Sequence, residues 1–278
     1  MIQPDSSESL RLERNDGGWL RYATAGAGDP VVFIHGFGLD SGMWEPQWRA
    51  FAQHHRVIRY DLRGYGDSSL PDGAYSHVDD LLALIDFLGA RPVHLVGLSL
   101  GGRVALRVAA QNPAAVRSLT LADPAMDGHI WSADWLRRWR EMSDAANRGD
   151  LKQARKLWRE HSLFEPANKD PKIADALRVM IDRYSGWHWG HPDPGTASAP
   201  PVPEALPTIS VPTLVLVGKL DLPDFQSIAR RLAQELPQAE LRILAGAGHM
   251  SNMEAPRMFN DLVLHYLQRR AGGAAISD

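Results

Sequence analysis

The 278-residue chain contains no cysteine. Disulfides, thiolate nucleophiles and cysteine-bound metals are therefore excluded, and a reducing compartment is permitted. Charge of one sign is also scarce. Thirty Lys and Arg stand against 33 Asp and Glu, for a net charge of −3, so nothing electrostatic draws the chain to nucleic acid or an anionic membrane. No apolar run approaches the ~20 residues that cross a bilayer. The opening MIQPDSSESLRLERNDGG lacks the basic stretch followed by an apolar one that marks a signal peptide. A cytoplasmic location is the expectation. Hydrophobic residues at 44% and charged residues at 23% describe an ordinary globular protein. The length suits a single large domain, or a core with an insertion.

Short apolar runs alternate with helical patterns over most of the chain. Leu10–Arg14 and Trp19–Thr24 flank Asn15-Asp16-Gly17-Gly18, a hairpin turn in which Asn, Asp and Gly accept positive φ. Val31–Ile34 is continuously apolar, as expected of a strand buried on both faces. Arg56–Tyr60, Val93–Leu98, Arg117–Leu121, Pro212–Val217 and Leu241–Leu244 repeat that kind of run. Helical patterns lie between, at Val78–Leu88, Leu100–Gln111, Asp224–Leu236 and Ala255–Arg269. An antiparallel start followed by strand–helix alternation predicts an α/β fold, a mostly parallel eight-stranded sheet with helices on both faces.

One stretch breaks the rhythm. Residues 127–207 carry no strand-like run, but helical patterns at Trp131–Met142, Leu151–His161 and Ile173–Tyr184, then a Pro-rich passage from Pro192 to Pro207. This reads as a helical cap inserted into a core made of residues 1–126 and 208–278. Six of the nine tryptophans fall in the insertion: Trp131, Trp135, Trp139, Trp158, Trp187 and Trp189. They serve either as the cap's own small core or as walls of a pocket between cap and core. Trp131, Trp135 and Trp187, with Met250, are the expected substrate-binding residues.

Gly97-Leu98-Ser99-Leu100-Gly101 fits G-x-S-x-G, and its setting gives it weight. A strand precedes it and a helix follows. The turning residue is then forced into a strained backbone with its side chain clear of the sheet, while the helix N-terminus aims free N–H groups at it. Ser99 is the expected nucleophile. Acyl transfer also needs two N–H donors where negative charge develops, each worth roughly 3 kcal/mol of barrier. The amide of Leu100 is one candidate. The amide of Phe37, in His35-Gly36-Phe37-Gly38 after the Val31–Ile34 strand, is the other. His35 is expected to brace that loop rather than act as base.

Among eleven histidines, His249 follows the last strand and the loop Ala245-Gly246-Ala247-Gly248, which places it on the rim where Ser99 sits. His54 and His55 lie in a polar stretch and are expected to face solvent. His188 and His191, with Asp193, lack the fixed spacing of a metal site, and no metal is expected. Asp221 follows the Leu214–Val217 run and is the preferred acid; Asp123, after the Arg117–Leu121 strand, is its rival. Asp224 is expected to cap the next helix.

The pieces HGFG at 35–38, DLRGYGDSS at 61–69, GLSLGG at 97–102, VGKLD at 217–221 and GAGHMSNMEAP at 246–256 resemble the α/β-hydrolase superfamily over nearly the full length. The chain order Ser, Asp, His is also that family's. The resemblance implies attack by Ser99 on a carbonyl, His249 as base, Asp221 holding the imidazole, and no cofactor. Epoxide hydrolases and haloalkane dehalogenases of the superfamily use an Asp nucleophile, so Ser99 argues against both. Carbon–carbon bond hydrolases tend to carry Trp after the catalytic His, where this chain has Met250. The stretch His249–Glu254 is similar to that of 3-oxoadipate enol-lactonases, whose anionic substrate would call for Arg103, Arg137 or Arg138 in the pocket. The preferred expectation is a carboxylesterase for short-acyl or aryl esters, with a small ester or lactone as substrate and neither nucleic acid nor membrane as partner. Cofactor-free perhydrolysis and a catalytically idle ligand receptor are the remaining readings; filled triad positions argue against the receptor.

Overall fold

A computed structural model of the chain describes residues 10–191 and 202–271. Eight strands form one sheet: β1 (Leu10–Glu13), β2 (Trp19–Ala25), β3 (Pro30–Ile34), β4 (Arg56–Tyr60), β5 (Val93–Leu98), β6 (Val116–Ala122), β7 (Thr213–Gly218) and β8 (Ala239–Leu244). Their order is β1-β2-β4-β3-β5-β6-β7-β8. β1 and β2 pair antiparallel, with Leu12 opposite Leu20, and Gly17 takes φ 80° in the turn. β2 is antiparallel to β4, and all later pairs are parallel. β5 and β7 are buried along their whole length, which is why their sequences are apolar without alternation. β8 is an edge strand and keeps Arg242 and Ile243 exposed.

From β3 the chain steps to β4 on one side and then to β5 on the other. The strand order thus reverses around β3, and the carboxyl ends of β3 and β5 open a crevice there. Helices cover the sheet: α1 (Glu45–Ala52), α2 (His77–Phe87), α3 (Leu100–Gln111), α9 (Pro223–Glu235), α10 (Ser251–Glu254) and α11 (Pro256–Ala271). Between β6 and β7 lie α4 (Ala133–Asn147), α5 (Leu151–Arg159), α6 (Pro171–Arg183), α7 (Trp187–Gly190) and α8 (Val202–Ala205). α4–α7 form the helical insert. Ser132 caps α4 by accepting from the Trp135 amide, and Asp170 caps α6 ahead of Pro171. The Pro-rich passage falls partly outside the described residues; its end, from Val202 to Thr208, is helical. Among the described residues no helix is long and apolar enough to cross a membrane.

Two short helices join those expected from sequence, and two local readings are corrected. Ser251–Glu254 is cut off from the final helix, because Ala255 leaves helical geometry at φ −131° ahead of Pro256, which has no amide donor. α1, with Pro46 in its first turn, buries Gln47, Trp48 and Phe51. His55 is buried, not solvent-facing: its Nδ1 lies 3.3 Å from the Asp29 carbonyl and its ring packs near His94. Asp224 does not cap α9, because Pro223 takes the first helical position and Leu222 becomes the cap residue. Its carboxylate instead accepts from the Ser132 amide (2.9 Å) and hydroxyl (2.7 Å), tying α9 to the start of α4.

Candidate active site

Ser99 stands where β5 turns into α3, at φ 55° and ψ −112°. That region is costly for a residue with a side chain, by roughly 1–3 kcal/mol. The turn is held from both sides: the Ser99 amide donates to Ala122 O (2.9 Å), and Ser99 O accepts from the Ala125 amide (3.1 Å). The flanking glycines are obligatory. A Cβ on Gly97 would lie 2.3 Å from Gly101 O, and one on Gly101 would lie 2.1 Å from Ile34 O. The absence of those two side chains lets β3, β5 and α3 close around the serine.

Beside it, the loop after β3 is braced by His35. Its Nε2 accepts from the Leu62 amide (2.9 Å), so its proton is on Nδ1, which donates to Gly36 O (2.8 Å). Both nitrogens are thereby used, and His35 has none to spare as a base. Among the described residues neither the Phe37 nor the Leu100 amide has a partner within the protein. The Phe37 loop meets Ser99, His249 and Met250 in a recess of about 10 Å³, the room one water needs. Met250, expected as a substrate contact, is fully buried there.

His249 and Asp221 come from the loops after β8 and β7. His249 Nδ1 donates to Asp221 Oδ2 at 2.9 Å, and both side chains are buried. The other carboxylate oxygen accepts from the Leu222 amide (2.7 Å). Glu254 shapes the histidine loop by accepting from the Gly248 (2.7 Å) and Met250 (2.9 Å) amides; this role left no readable mark in the sequence. Asp123, at φ 44° after β6, accepts from the Gly218 amide (2.7 Å) and from the Ser251 hydroxyl. The Asp123, Asp221 and His249 polar atoms all lie within 4.8 Å of one another. Burial, and then the charge of Asp221, push the Asp123 carboxyl well above the usual range; burial likewise raises Asp221. Two carboxyls so close and so dry titrate as a coupled pair. Burial also pulls the His249 imidazole down to about 4, with Asp123 and Glu254 opposing. At neutral pH the His249 imidazole is therefore uncharged.

A cavity of about 500 Å³ opens above Ser99. Trp131, Trp135, Trp139, Trp158 and Trp189 line it; Trp187 does not, and stacks instead on His191 at 4.1 Å. Of the arginines considered, Arg103 reaches the cavity wall and pairs with Asp127 (3.8 Å). Arg137 and Arg138 pair with Asp134, one turn back on α4. His188 lines the cavity with both nitrogens engaged, by the hydroxyls of Tyr75 (2.7 Å) and Tyr184 (3.1 Å), which leaves no lone pair aimed at a metal. Asp193 lies outside the described residues. Phe225, Trp139 and Tyr65 also line the cavity and were not singled out from sequence. Trp139 had a signal, since it continues the four-residue spacing of Trp131 and Trp135.

The insert is fastened to the core at several points. Arg183 pairs with Asp67 (2.7 Å), and the Ser185 hydroxyl donates to Gly64 O (3.1 Å). Gly64 takes φ 85° and packs so closely on His188 that a Cβ would lie 2.4 Å from its Cε1.

A mostly parallel eight-stranded sheet, with a strained serine after β5, a helical insert after β6 and a buried Asp–His pair after β7 and β8, defines the α/β-hydrolase fold. Residues 31–262 match the model of the alpha/beta hydrolase family, and the chain belongs to that family. It is 28% identical to 3-oxoadipate enol-lactonase 1 of Acinetobacter baylyi, over 82% of this chain and 85% of that protein. Its fold is similar to a thermophilic esterase from Thermogutta terrifontis: TM-score 0.81, 27% identity, covering 95% of this chain and all of the other. It is also similar to Est816, an N-acyl homoserine lactone degrading enzyme: TM-score 0.77, 28% identity, covering 92% and 100%.

Proposed function

We propose that this α/β hydrolase cleaves carboxylic esters through an acyl-enzyme on Ser99, with His249 as general base and acid and Asp221 orienting it. The observation that carries the reading is the buried 2.9 Å contact from His249 Nδ1 to Asp221 Oδ2, beside a serine held in a strained turn. With Nδ1–H committed to the carboxylate, the lone pair of Nε2 is left to take the Ser99 proton as Oγ attacks the carbonyl carbon. The Phe37 and Leu100 amides, without partners among the described residues, suit the oxyanion that forms. The ester C–O bond then breaks, His249 returns the proton to the departing oxygen, and water releases the acid by the same steps in reverse. Residues 127–207 act as the cap that roofs this chemistry. Of the residues expected to bind substrate, Trp131 and Trp135 line the cavity and Met250 lines the recess at Ser99, whereas Trp187 lines neither.

A lactone is an ester closed on itself and follows the same course. Two of the relatives above act on lactones by name, which supports including them. The test is labelling with a fluorophosphonate, together with hydrolysis of p-nitrophenyl acetate. Label on Ser99, and loss of at least about 10³-fold in turnover in Ser99→Ala, are the expected results. Near-normal turnover in that variant would overturn the assignment.

A further inference from the structure

From just before α4 into the helix, the indoles of Trp131, Trp135 and Trp139 follow one another at four-residue intervals. Their rings are nearly parallel: 4.6 Å and 20° for the first pair, 6.5 Å and 15° for the second. All three are only half-buried, while α4 buries just Met142 and Ala145 fully. The row is therefore not the insert's own core; it is a flat aromatic wall facing the cavity.

The wall has two distinguishable ends. Trp131 and Trp135 each rest 5.4 Å from Phe225, whose ring lies 4.2 Å from His249. Trp139 instead meets Phe37, on the loop after β3, at 5.0 Å. One end thus stands over His249 and the other over the Phe37 loop. These ends are chemically unequal in an acyl transfer, because the departing oxygen must receive its proton from His249. The alcohol half of the ester therefore lies on the His249 side, and the acyl half is turned toward Phe37.

We propose that the substrates are esters of aromatic alcohols, whose ring packs against Trp131, Trp135 and Phe225 beside His249. This rests on the acyl-enzyme reading above. The bond formed is Ser99 Oγ to the acyl carbon, the bond broken is that carbon to the aryloxy oxygen, and the serine proton leaves on that oxygen. Flat faces suit the site because offset and edge-to-face ring pairs add attraction beyond apolar burial. At about 500 Å³ the cavity is within the range that takes drug-sized ligands, so a two-ring alcohol fits together with an acyl group.

The experiment uses one ring placed on either side of the carbonyl: 2-naphthyl acetate carries it on the alcohol, methyl 2-naphthoate on the acid. In the full-length protein, Trp135→Ala is expected to lower the ratio of kcat/KM for the first ester to that for the second by about tenfold relative to wild type, equivalent to about 1.4 kcal/mol. Trp135→Leu, which keeps bulk without the flat face, is expected to shift the ratio in the same direction, and covers the case in which the alanine variant folds poorly. A ratio that stays level or rises overturns the proposal. If the wild type turns over neither ester and Ser99 takes no fluorophosphonate, the acyl-enzyme reading falls and this proposal with it. If Ser99 is labelled while the ratio is unmoved, only the placement of the ring is wrong.

Discussion

Asp123 and Asp221 leave the ends of adjacent strands and bring carboxylate oxygens to within 4.8 Å of each other, yet Asp221 is the one that accepts from His249 Nδ1. Asp123 is consumed by the Gly218 amide and the Ser251 hydroxyl. The two acids are therefore neighbours with different tasks. Asp221→Asn is expected to lower kcat on p-nitrophenyl acetate by about 10⁴-fold, since an amide there favours the wrong imidazole tautomer. Asp123→Asn keeps an oxygen for the Gly218 amide and is expected to cost less than about tenfold. Steady-state kinetics of the two variants decide the matter, and the reverse ranking would make Asp123 the acid.

Acid stability should be governed in part by histidines that are buried uncharged. Burial pulls His94, His161 and His249 each to about 4, below the ordinary 6.5. The unfolded chain binds those protons first, so each histidine's contribution is whole above pH 6.5 and lost as pH falls from 6.5 to 4. Each is worth up to roughly 3 kcal/mol at the acid end. Carboxyls raised by burial, Asp123 among them, act with the opposite sign. The comparison that isolates one histidine is Tm against pH for wild type and His94→Gln. Between pH 7 and 4.5 the variant's Tm is expected to fall less; parallel curves would refute the account. The same burial places the acid limb of kcat/KM for ester hydrolysis near pH 4.

The turn around Ser99 should tolerate almost no added atoms at one glycine and some at its neighbour. A Cβ on Gly101 would meet backbone oxygen at 2.1 Å, whereas one on Gly102 would first meet Pro124 Cβ at 3.1 Å. Gly101→Ala is expected to lose about 3 kcal/mol or more of stability, or to fail to accumulate as soluble protein. Gly102→Ala is expected within about 1 kcal/mol of wild type, because helix propensity offsets the tighter packing. Urea denaturation of both measures the difference.

Asp224 holds the start of α4 against α9 through the Ser132 amide and hydroxyl. Asp224→Ala is expected to destabilise the protein by about 1–3 kcal/mol, the cost of leaving such donors without an acceptor. It should also raise KM for naphthyl acetate more than it lowers kcat, since Ser132 sits between Trp131 and Trp135 at the start of the wall. A KM equal to wild type would mean that this tie does not position the wall.

Much of this molecule is written locally. β3, β5 and β7 are legible because each strand is buried on both faces and so is apolar throughout. Ser99 is legible because a strand that turns directly into a helix demands glycines at 97 and 101, and that demand spans only five residues. The glycines of the loop after β3 follow from the same short-range logic, whereas His35 braces it through the Leu62 amide, 27 positions away. Other features depend on which segments meet in space. His55 is polar by type and buried by the fold around it; Asp224 loses its capping place to Leu222 and finds Ser132 more than ninety positions away.

The sheet, the turn at Ser99 and the existence of a helical insert follow from periodicity and backbone sterics within a few residues. That Asp221 rather than Asp123 meets His249, that Trp187 turns away while Trp139 joins the wall, and that Phe225 links that wall to the histidine is settled only when distant segments pack together. Those outcomes rest on distances between residues far apart in the chain, and no local pattern encodes which of two similar side chains arrives first.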